Sequence, residues 1–310
     1  MQYIKKVYEF EESNQDMGEF GKLSKVPTFL AKLLIKSKVK DIRAAMGGDS
    51  KDISLRFISV EDKIIKGYKS DLRIRIYKPE GDALRPLMMF YHGGGWIGGT
   101  LDAVDDYCKA VADRADCVVI SVDYHLAPEA KFPEGLEDSY NALLWAVDHS
   151  DMLNVDVTKV SVSGDSAGGN FAAVLSIMAK TRKQLKIDKQ ILLYPATDLS
   201  SNLTETNNKR DAFGEAILEL YTKSKKDYKN PYVSPILCED LSQLPKALIA
   251  IGELDTLKDS SYKYAEALDR SGNDVTFILF TNTRHAFIDN TGNCKQAADL
   301  IDEVTSFIKS

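Results

Sequence analysis

The 310-residue chain is poor in cysteine and histidine and carries no excess of positive charge. Each shortage excludes a class of function. Its four cysteines, Cys108, Cys117, Cys238 and Cys294, show neither C-x-x-C spacing nor a neighbouring histidine. Reduced thiols are therefore expected, with no metal site and no disulfide framework. Lys and Arg number 40 against 46 Asp and Glu, a net charge of −6. A nucleic-acid binder needs a basic surface to displace counterions, so no nucleic-acid partner is expected. No stretch approaches the ~18 uncharged apolar residues of a bilayer span, so no stable membrane insertion is expected either. The opening Met-Gln-Tyr-Ile-Lys-Lys-Val-Tyr-Glu-Phe-Glu-Glu has no apolar core and no small-residue cleavage site. It does not read as a signal peptide, and the expected compartment is the cytoplasm. Internal repeats and low-complexity tracts are absent.

What remains is an ordinary globular composition, 44% hydrophobic and 28% charged. A chain of this length buries roughly three quarters of its unfolded surface and needs no covalent staple. It is long enough for one or two domains. Between Lys22 and Met46, Leu23, Val26, Phe29, Leu30, Leu33 and Leu34 recur at three- and four-residue steps with lysines between them. That spacing predicts an amphipathic helix packed over a larger domain. Leu55–Val60 and Leu72–Tyr77 read as strands, and the second, which alternates with period two, predicts an antiparallel edge strand with one wet face.

From Pro86 onward the texture changes. Short, wholly apolar runs recur at Leu87–Tyr91, Val118–Val122, Val160–Ser163, Ile191–Tyr194, Leu248–Ile251 and Val275–Phe280. Helical patterns separate or follow them at Asp102–Arg114, Leu136–Val147, Ala167–Lys180, Ser261–Ser271 and Cys294–Ile308. Apolar strands alternating with helices predict a mostly parallel sheet covered on both faces. An insertion over about 200–244, around a helix from Ala212 to about Lys225, has the size and position of a lid or cap. The strand Phe277–Phe280 lies near the C-terminus and is expected toward a sheet edge, where it would invite a second copy of the chain into a homodimer.

The chemistry is concentrated in three places. Gly164-Asp165-Ser166-Ala167-Gly168-Gly169 follows a strand and opens a helix, the setting of a strained turn that presents a nucleophilic serine. Ser166 needs a base, and of His92, His125, His149 and His285 only His285 lies downstream of it. The base needs a carboxylate to hold its tautomer. Nine aspartates lie between Ser166 and His285. Asp255, on the loop beyond a predicted strand end, is favoured over Asp198 and Asp259. His92-Gly93-Gly94-Gly95-Trp96 follows the Leu87–Tyr91 strand, where a run of glycines exposes backbone N–H groups suited to a developing oxyanion. The N–H of Ala167 would add another. Trp96 is expected either to line the acyl pocket or to pack within the cap.

These residues, together with Ser121-Val122-Asp123-Tyr124-His125-Leu126-Ala127-Pro128-Glu129, Phe132-Pro133, Glu137-Asp138, Asp255-Thr256-Leu257-Lys258-Asp259 and His285-Ala286-Phe287, resemble the hormone-sensitive-lipase-like esterases of the α/β-hydrolase fold. The resemblance extends from about Leu84 to the C-terminus. It implies an α/β fold with a central, mostly parallel sheet flanked by helices. It also implies a helical cap built from residues 1–50 and from the insertion at about 200–244, the catalytic domain being 51–310. It implies a triad of Ser166, Asp255 and His285, and oxyanion donors at Gly94, Gly95 and Ala167, with Gly93 able to stand in for one. The implied activity is hydrolysis of short-to-medium acyl esters without a cofactor, the partner being a small-molecule ester. An acyltransferase or amidase would use the same groups, and a non-hydrolytic receptor on this fold would lack the histidine. The chain departs from the family at His125, usually Arg, at Thr256, usually Pro, and at Ala286, usually Gly.

Overall fold

A computed structural model describes residues 4–11, 27–200 and 212–310. Among these described residues nine strands form one sheet: β1 (Ile4–Tyr8), β2 (Ile58–Lys66), β3 (Asp71–Pro79), β4 (Arg85–Tyr91), β5 (Val118–Val122), β6 (Val155–Asp165), β7 (Lys189–Leu193), β8 (Lys246–Gly252) and β9 (Val275–Phe280). Their order is β1-β9-β8-β7-β6-β4-β5-β3-β2. The ladders on either side of β3 are antiparallel and all others are parallel. Every apolar run read from the sequence lies within one of the parallel strands or, for Tyr194, one residue beyond it. Helices cover both faces, so these strands have no wet side. Leu87, Met88, Met89 and Phe90 of β4 are all fully buried, each worth about 1.5–3 kcal/mol of hydrophobic stabilisation. In β3 the alternation holds as expected, with Leu72 and Ile74 inside and Asp71 and Arg73 outside, but β3 is paired on both sides and β2, not β3, forms the edge. β2 begins three residues later than its apolar run, leaving Leu55 and Phe57 exposed outside the ladder.

The helices over this sheet include α1 (Thr28–Ser37), α2 (Val39–Ala44), α3 (Asp105–Ala115), α4 (Glu134–Asp148), α5 (Ser150–Leu153), α6 (Ala167–Arg182), α7 (Ala212–Tyr221), α8 (Lys258–Arg270) and α9 (Lys295–Lys309). None among the described residues is long and apolar enough to cross a membrane.

Three expectations need correction. The strand Val275–Phe280 is not at the edge, because β1 pairs with it in parallel along Ile4↔Thr276 to Tyr8↔Phe280. Tyr8 stacks on Phe280 at 5.1 Å, and its hydroxyl donates to Glu303 at 2.6 Å. The open edge on which the homodimer expectation rested is therefore occupied by the chain's own N-terminal segment.

The predicted helix over Lys22–Met46 is two helices, broken at Lys38, whose backbone leaves helical geometry (φ −114°, ψ 18°). Leu23 and Val26 lie outside the described residues. In α1 the buried positions are Ala31 and Ile35, whereas Phe29 and Leu33 of the predicted apolar stripe face outward. α1 lies along α7, and Lys32 meets Glu219 across them at 2.9 Å. Finally, α7 stops at Tyr221 rather than near Lys225. Its last carbonyls are taken by the Lys131 ammonium, at 3.0 Å from Glu219 O and 2.6 Å from Thr222 O, and by the Phe132 N–H on Tyr221 O.

Candidate active site

Ser166 stands between the end of β6 and the start of α6 with φ 53° and ψ −111°. A side-chain-bearing residue holds such a backbone only when its surroundings over-determine it, at a cost of about 1–3 kcal/mol. Here the Ser166 N–H donates to Leu193 O at 2.9 Å, and its carbonyl accepts from Asn170 N at 3.0 Å. The flanking glycines are required by close approach. A Cβ on Gly168 would lie 1.8 Å from Tyr91 O, and one on Gly164 would lie 2.5 Å from backbone atoms of Gly168. The motif packs β4, β6 and α6 tightly enough to lift the serine hydroxyl clear of the sheet.

His285 reaches that hydroxyl from the loop after β9. Its Nε2 is 2.9 Å from Ser166 Oγ, and its Nδ1 is 2.6 Å from Asp255 Oδ2. Asp255 Oδ1 accepts from Leu257 N at 2.8 Å, and its side chain is wholly buried. A carboxylate committed on both oxygens fixes the Nδ1–H tautomer and leaves Nε2 free to accept the serine proton. The rival aspartates are engaged elsewhere. Asp198 accepts the N–H and hydroxyl of Ser200 in a local turn, and Asp259 lies in the first turn of α8. Tyr194 sets its ring edge-on to His285 at 4.8 Å. Ala286, where the family usually has Gly, lies at φ 61°, in left-handed space.

Two carboxyl groups absent from the sequence-based expectations also face this histidine. Burial, and then the neighbouring Asp289, push the Asp165 carboxyl up to about 7. Burial pushes Asp289 up to about 6. Burial alone would lower His285, but the charge and hydrogen bond of Asp255, with smaller contributions from Asp165 and Asp289, raise it above an ordinary histidine. Asp165 was visible as a motif letter. Asp289, four residues past His285 in a short 3-10 turn (Phe287–Asn290), carried no signal.

The glycine loop after β4 is divided in its roles. Gly93 N donates to Asp165 Oδ1 at 2.7 Å, so this N–H is committed and does not stand in as an oxyanion donor. Gly94 and Gly95 sit at φ 112° and 61°. Among the described residues, no acceptor is assigned to the N–H groups of Gly94, Gly95 or Ala167. Gly94 O accepts from Ile97 and Gly98, closing the loop into a turn. Arg43 of α2 ties that turn down, donating to Ile97 O at 2.6 Å and Ala127 O at 2.9 Å and pairing with Glu129 at 2.7 Å.

Trp96 corrects the expectation of a substrate contact. Its indole is 4% exposed, lies flat on Tyr221 at 4.4 Å and 8°, and does not line the cavity above Ser166. That cavity, of about 360 Å³, is bounded by Ser166, His285, the glycine loop, Asp165 and Asp289 on one side. Met46, Phe213 and Ile217 provide the apolar wall. They come from the end of the N-terminal helices and from the mid-chain insertion, the stretches without motifs. Among the described residues no cluster of three or more His, Cys, Asp or Glu side chains could hold a metal ion.

Residues 88–289 match a family described as the alpha/beta hydrolase fold. An arylesterase of Saccharolobus solfataricus is 33% identical over 301 residues, covering 95% of this chain and 89% of the relative. An ethyl acetate hydrolase of Pseudomonas putida is 31% identical over 238 residues, 74% of each chain. Among solved structures, a hyperthermophilic esterase from Pyrobaculum calidifontis superposes with a TM-score of 0.76 at 31% identity, covering 92% of both chains.

Proposed function

The chain belongs to the hormone-sensitive-lipase-like esterases of the α/β-hydrolase fold and is a carboxylic ester hydrolase, and from that premise we propose that Ser166, His285 and Asp255 are its triad. The observation that carries the proposal is the continuous chain from Ser166 Oγ through both nitrogens of His285 to Asp255, at 2.9 and 2.6 Å. Ser166 attacks the ester carbonyl while His285 Nε2 takes its proton, and Asp255 stabilises the imidazolium that forms. The oxyanion is held by the N–H groups of Gly94, Gly95 and Ala167, each worth about 3 kcal/mol of barrier. His285 then returns the proton to the leaving alcohol, and water repeats the sequence on the acyl-enzyme.

In this reading α1, α2 and α7 form a cap whose inner residues Met46, Phe213 and Ile217 bound the acyl group. A wall of this kind over about 360 Å³ suits short-to-medium acyl chains. The names of the two relatives, an arylesterase and an ethyl acetate hydrolase, support small esters. Rates on p-nitrophenyl esters from acetate to palmitate test the substrate range. kcat/KM is expected to peak at short or medium chains, and a maximum at palmitate would overturn it. A Ser166→Ala variant hydrolysing p-nitrophenyl acetate at the unmodified rate would overturn the triad.

A further inference from the structure

The chain holds a second serine, histidine and aspartate in hydrogen-bonded series. His125 Nε2 is 3.0 Å from Ser70 Oγ, and His125 Nδ1 is 2.7 Å from Asp138 Oδ2. These distances match those at Ser166 within 0.1 Å for each bond. Ser70 ends the four-residue turn between β2 and β3 and is exposed. His125 follows β5, with its side chain 34% exposed, and Asp138, in α4, is wholly buried. From β6 to β3 is three steps across the sheet, about 15 Å at ~4.8 Å per strand, so the two series are separate.

The construction around Asp138 sets the tautomer. Its Oδ1 accepts from Tyr68 N at 2.8 Å, and its Oδ2 accepts from His125 N at 3.2 Å as well as from Nδ1. An oxygen acceptor facing Nδ1 places the ring proton there, leaving the Nε2 lone pair toward the Ser70 hydroxyl. The turn is held for this contact. Gly67 N donates to Ser70 O at 2.9 Å, and a Cβ on Gly67 would lie 2.6 Å from that carbonyl and 2.9 Å from Asp138 Oδ1. Beside it in the chain, Lys69 pairs with Glu134 of α4.

We propose that Ser70 is an acyl-acceptor site, a His125-activated serine that takes the acyl group of activated aryl esters and retains it. The Ser70 Oγ lone pair attacks the ester carbonyl as its proton passes to His125 Nε2. The tetrahedral adduct collapses with expulsion of the phenolate, which recovers the proton from His125 and leaves as the phenol. The products are O-acyl-Ser70 and a phenol, with no net proton change. The reverse cleavage by water must expel a serine alkoxide, a far poorer leaving group than a phenolate. Ser70 also precedes a strand, not a helix, so the N–H at a helix start that adds to the proposed oxyanion donors at Ser166 is not assembled there. The acyl group therefore persists.

The test uses the full-length Ser166→Ala protein, exposed to p-nitrophenyl acetate and analysed by peptide mass mapping. Acetyl is expected to accumulate on Ser70 well ahead of the exposed Ser37 and Ser310. In Ser166→Ala/His125→Arg the guanidinium still donates to Asp138 but is no base. The Ser70 rate should fall about 100-fold, the contribution of a positioned general base. Should that variant fail to fold, the ratio of Ser70 to Ser37 labelling in Ser166→Ala decides alone. Two results would overturn the proposal: Ser70 labelling no faster than Ser37, or equal Ser70 labelling in Ser166→Ala and in a folded Ser166→Ala/His125→Arg. Either result leaves the Ser166 reading untouched, because that reading is tested by the loss of p-nitrophenyl acetate turnover from the unmodified chain to Ser166→Ala.

Discussion

Two serines in this molecule face histidines backed by buried aspartates at nearly the same distances, yet the sequence marks only one of them. Ser166 sits at φ 53° between a strand and a sixteen-residue helix, under a glycine loop with free N–H groups and beside a cavity of about 360 Å³. Ser70 sits in an exposed hairpin turn, with none of those features around it. On the proposed roles, the hydrogen-bonded series activates the nucleophile at each serine, whereas the setting decides turnover. Stabilising the oxyanion and excluding water are properties of the loop, helix and cavity.

The largest effect separates the two hydroxyls outright. Ser166→Ala should lower kcat for p-nitrophenyl acetate by about 10⁵–10⁶-fold, whereas Ser70→Ala should leave it unchanged. Steady-state kinetics on both variants checks this, and an equal loss in the two would break the contrast. Next come the carboxylates. Asp255→Asn should cost about 10⁴-fold in kcat through the wrong tautomer. Asp138→Asn should keep kcat but lose about 1–3 kcal/mol of stability, because the single amide oxygen cannot accept both from the Tyr68 N–H on one side and from the His125 N–H and imidazole on the other. Activity and denaturant unfolding measured together separate these outcomes.

A smaller effect sharpens the contrast in surroundings. His285 must be neutral to act, and its pKa is raised partly by the charges of Asp165 and Asp289. Asp289→Asn removes one of these charges, so the acid limb of kcat/KM should move to lower pH while the plateau stays. A limb that does not move would remove Asp289 from this role. The sign for stability is the reverse of an ordinary salt-bridged acid. With Asp289 raised from 3.8 to about 6, the folded state holds a proton that the unfolded state has released. Its contribution is present below about pH 4 and lost as pH rises to 6, so the Asn variant should gain on the parent over that window. The smallest effect lies at Ala286. Its φ of 61° costs about 1–2 kcal/mol. Ala286→Gly should stabilise the fold by about 0.5–1 kcal/mol, once the extra freedom of unfolded glycine is subtracted. Thermal unfolding at constant pH measures it.

Much of the main site was legible because its parts leave strong local marks. Gly164, Gly168 and Gly94 stand where a Cβ would strike backbone, Gly93 and Gly95 stand where it would meet the Asp165 and Ile217 side chains, and His285 was the only downstream histidine. The preference for Asp255 over Asp198 and Asp259 rested on its place after a strand; in the structure its carboxylate accepts from His285 and from Leu257 N, two bonds that support the proposed role. Other parts were hidden for physical reasons. β1 carries Lys5 and Lys6 and pairs on one side only, so it lacks the continuous apolar run of a central strand. Phe29 and Leu33 match a buried stripe in spacing, yet α1 presents Ala31 and Ile35 to its neighbour. Trp96 was one residue from the oxyanion loop, but its ring is held by Tyr221.

The sequence by itself determined the parallel sheet and the strained strand-to-helix turn at Ser166, and it left His285 as the one downstream candidate for the proposed base. Each depends on residues close together in the chain or on a count along it. Burial on both faces needs an unbroken apolar run, and close backbone approach needs glycine at fixed steps. Only the tertiary structure decided which apolar residues wall the cavity, which carboxyls surround His285, and that Ser70, His125 and Asp138 meet at all. Those three are separated by 55 and 13 positions. Their meeting is set by the antiparallel ladder of β3 on β5 and by the packing of α4, and no local pattern in the chain records it.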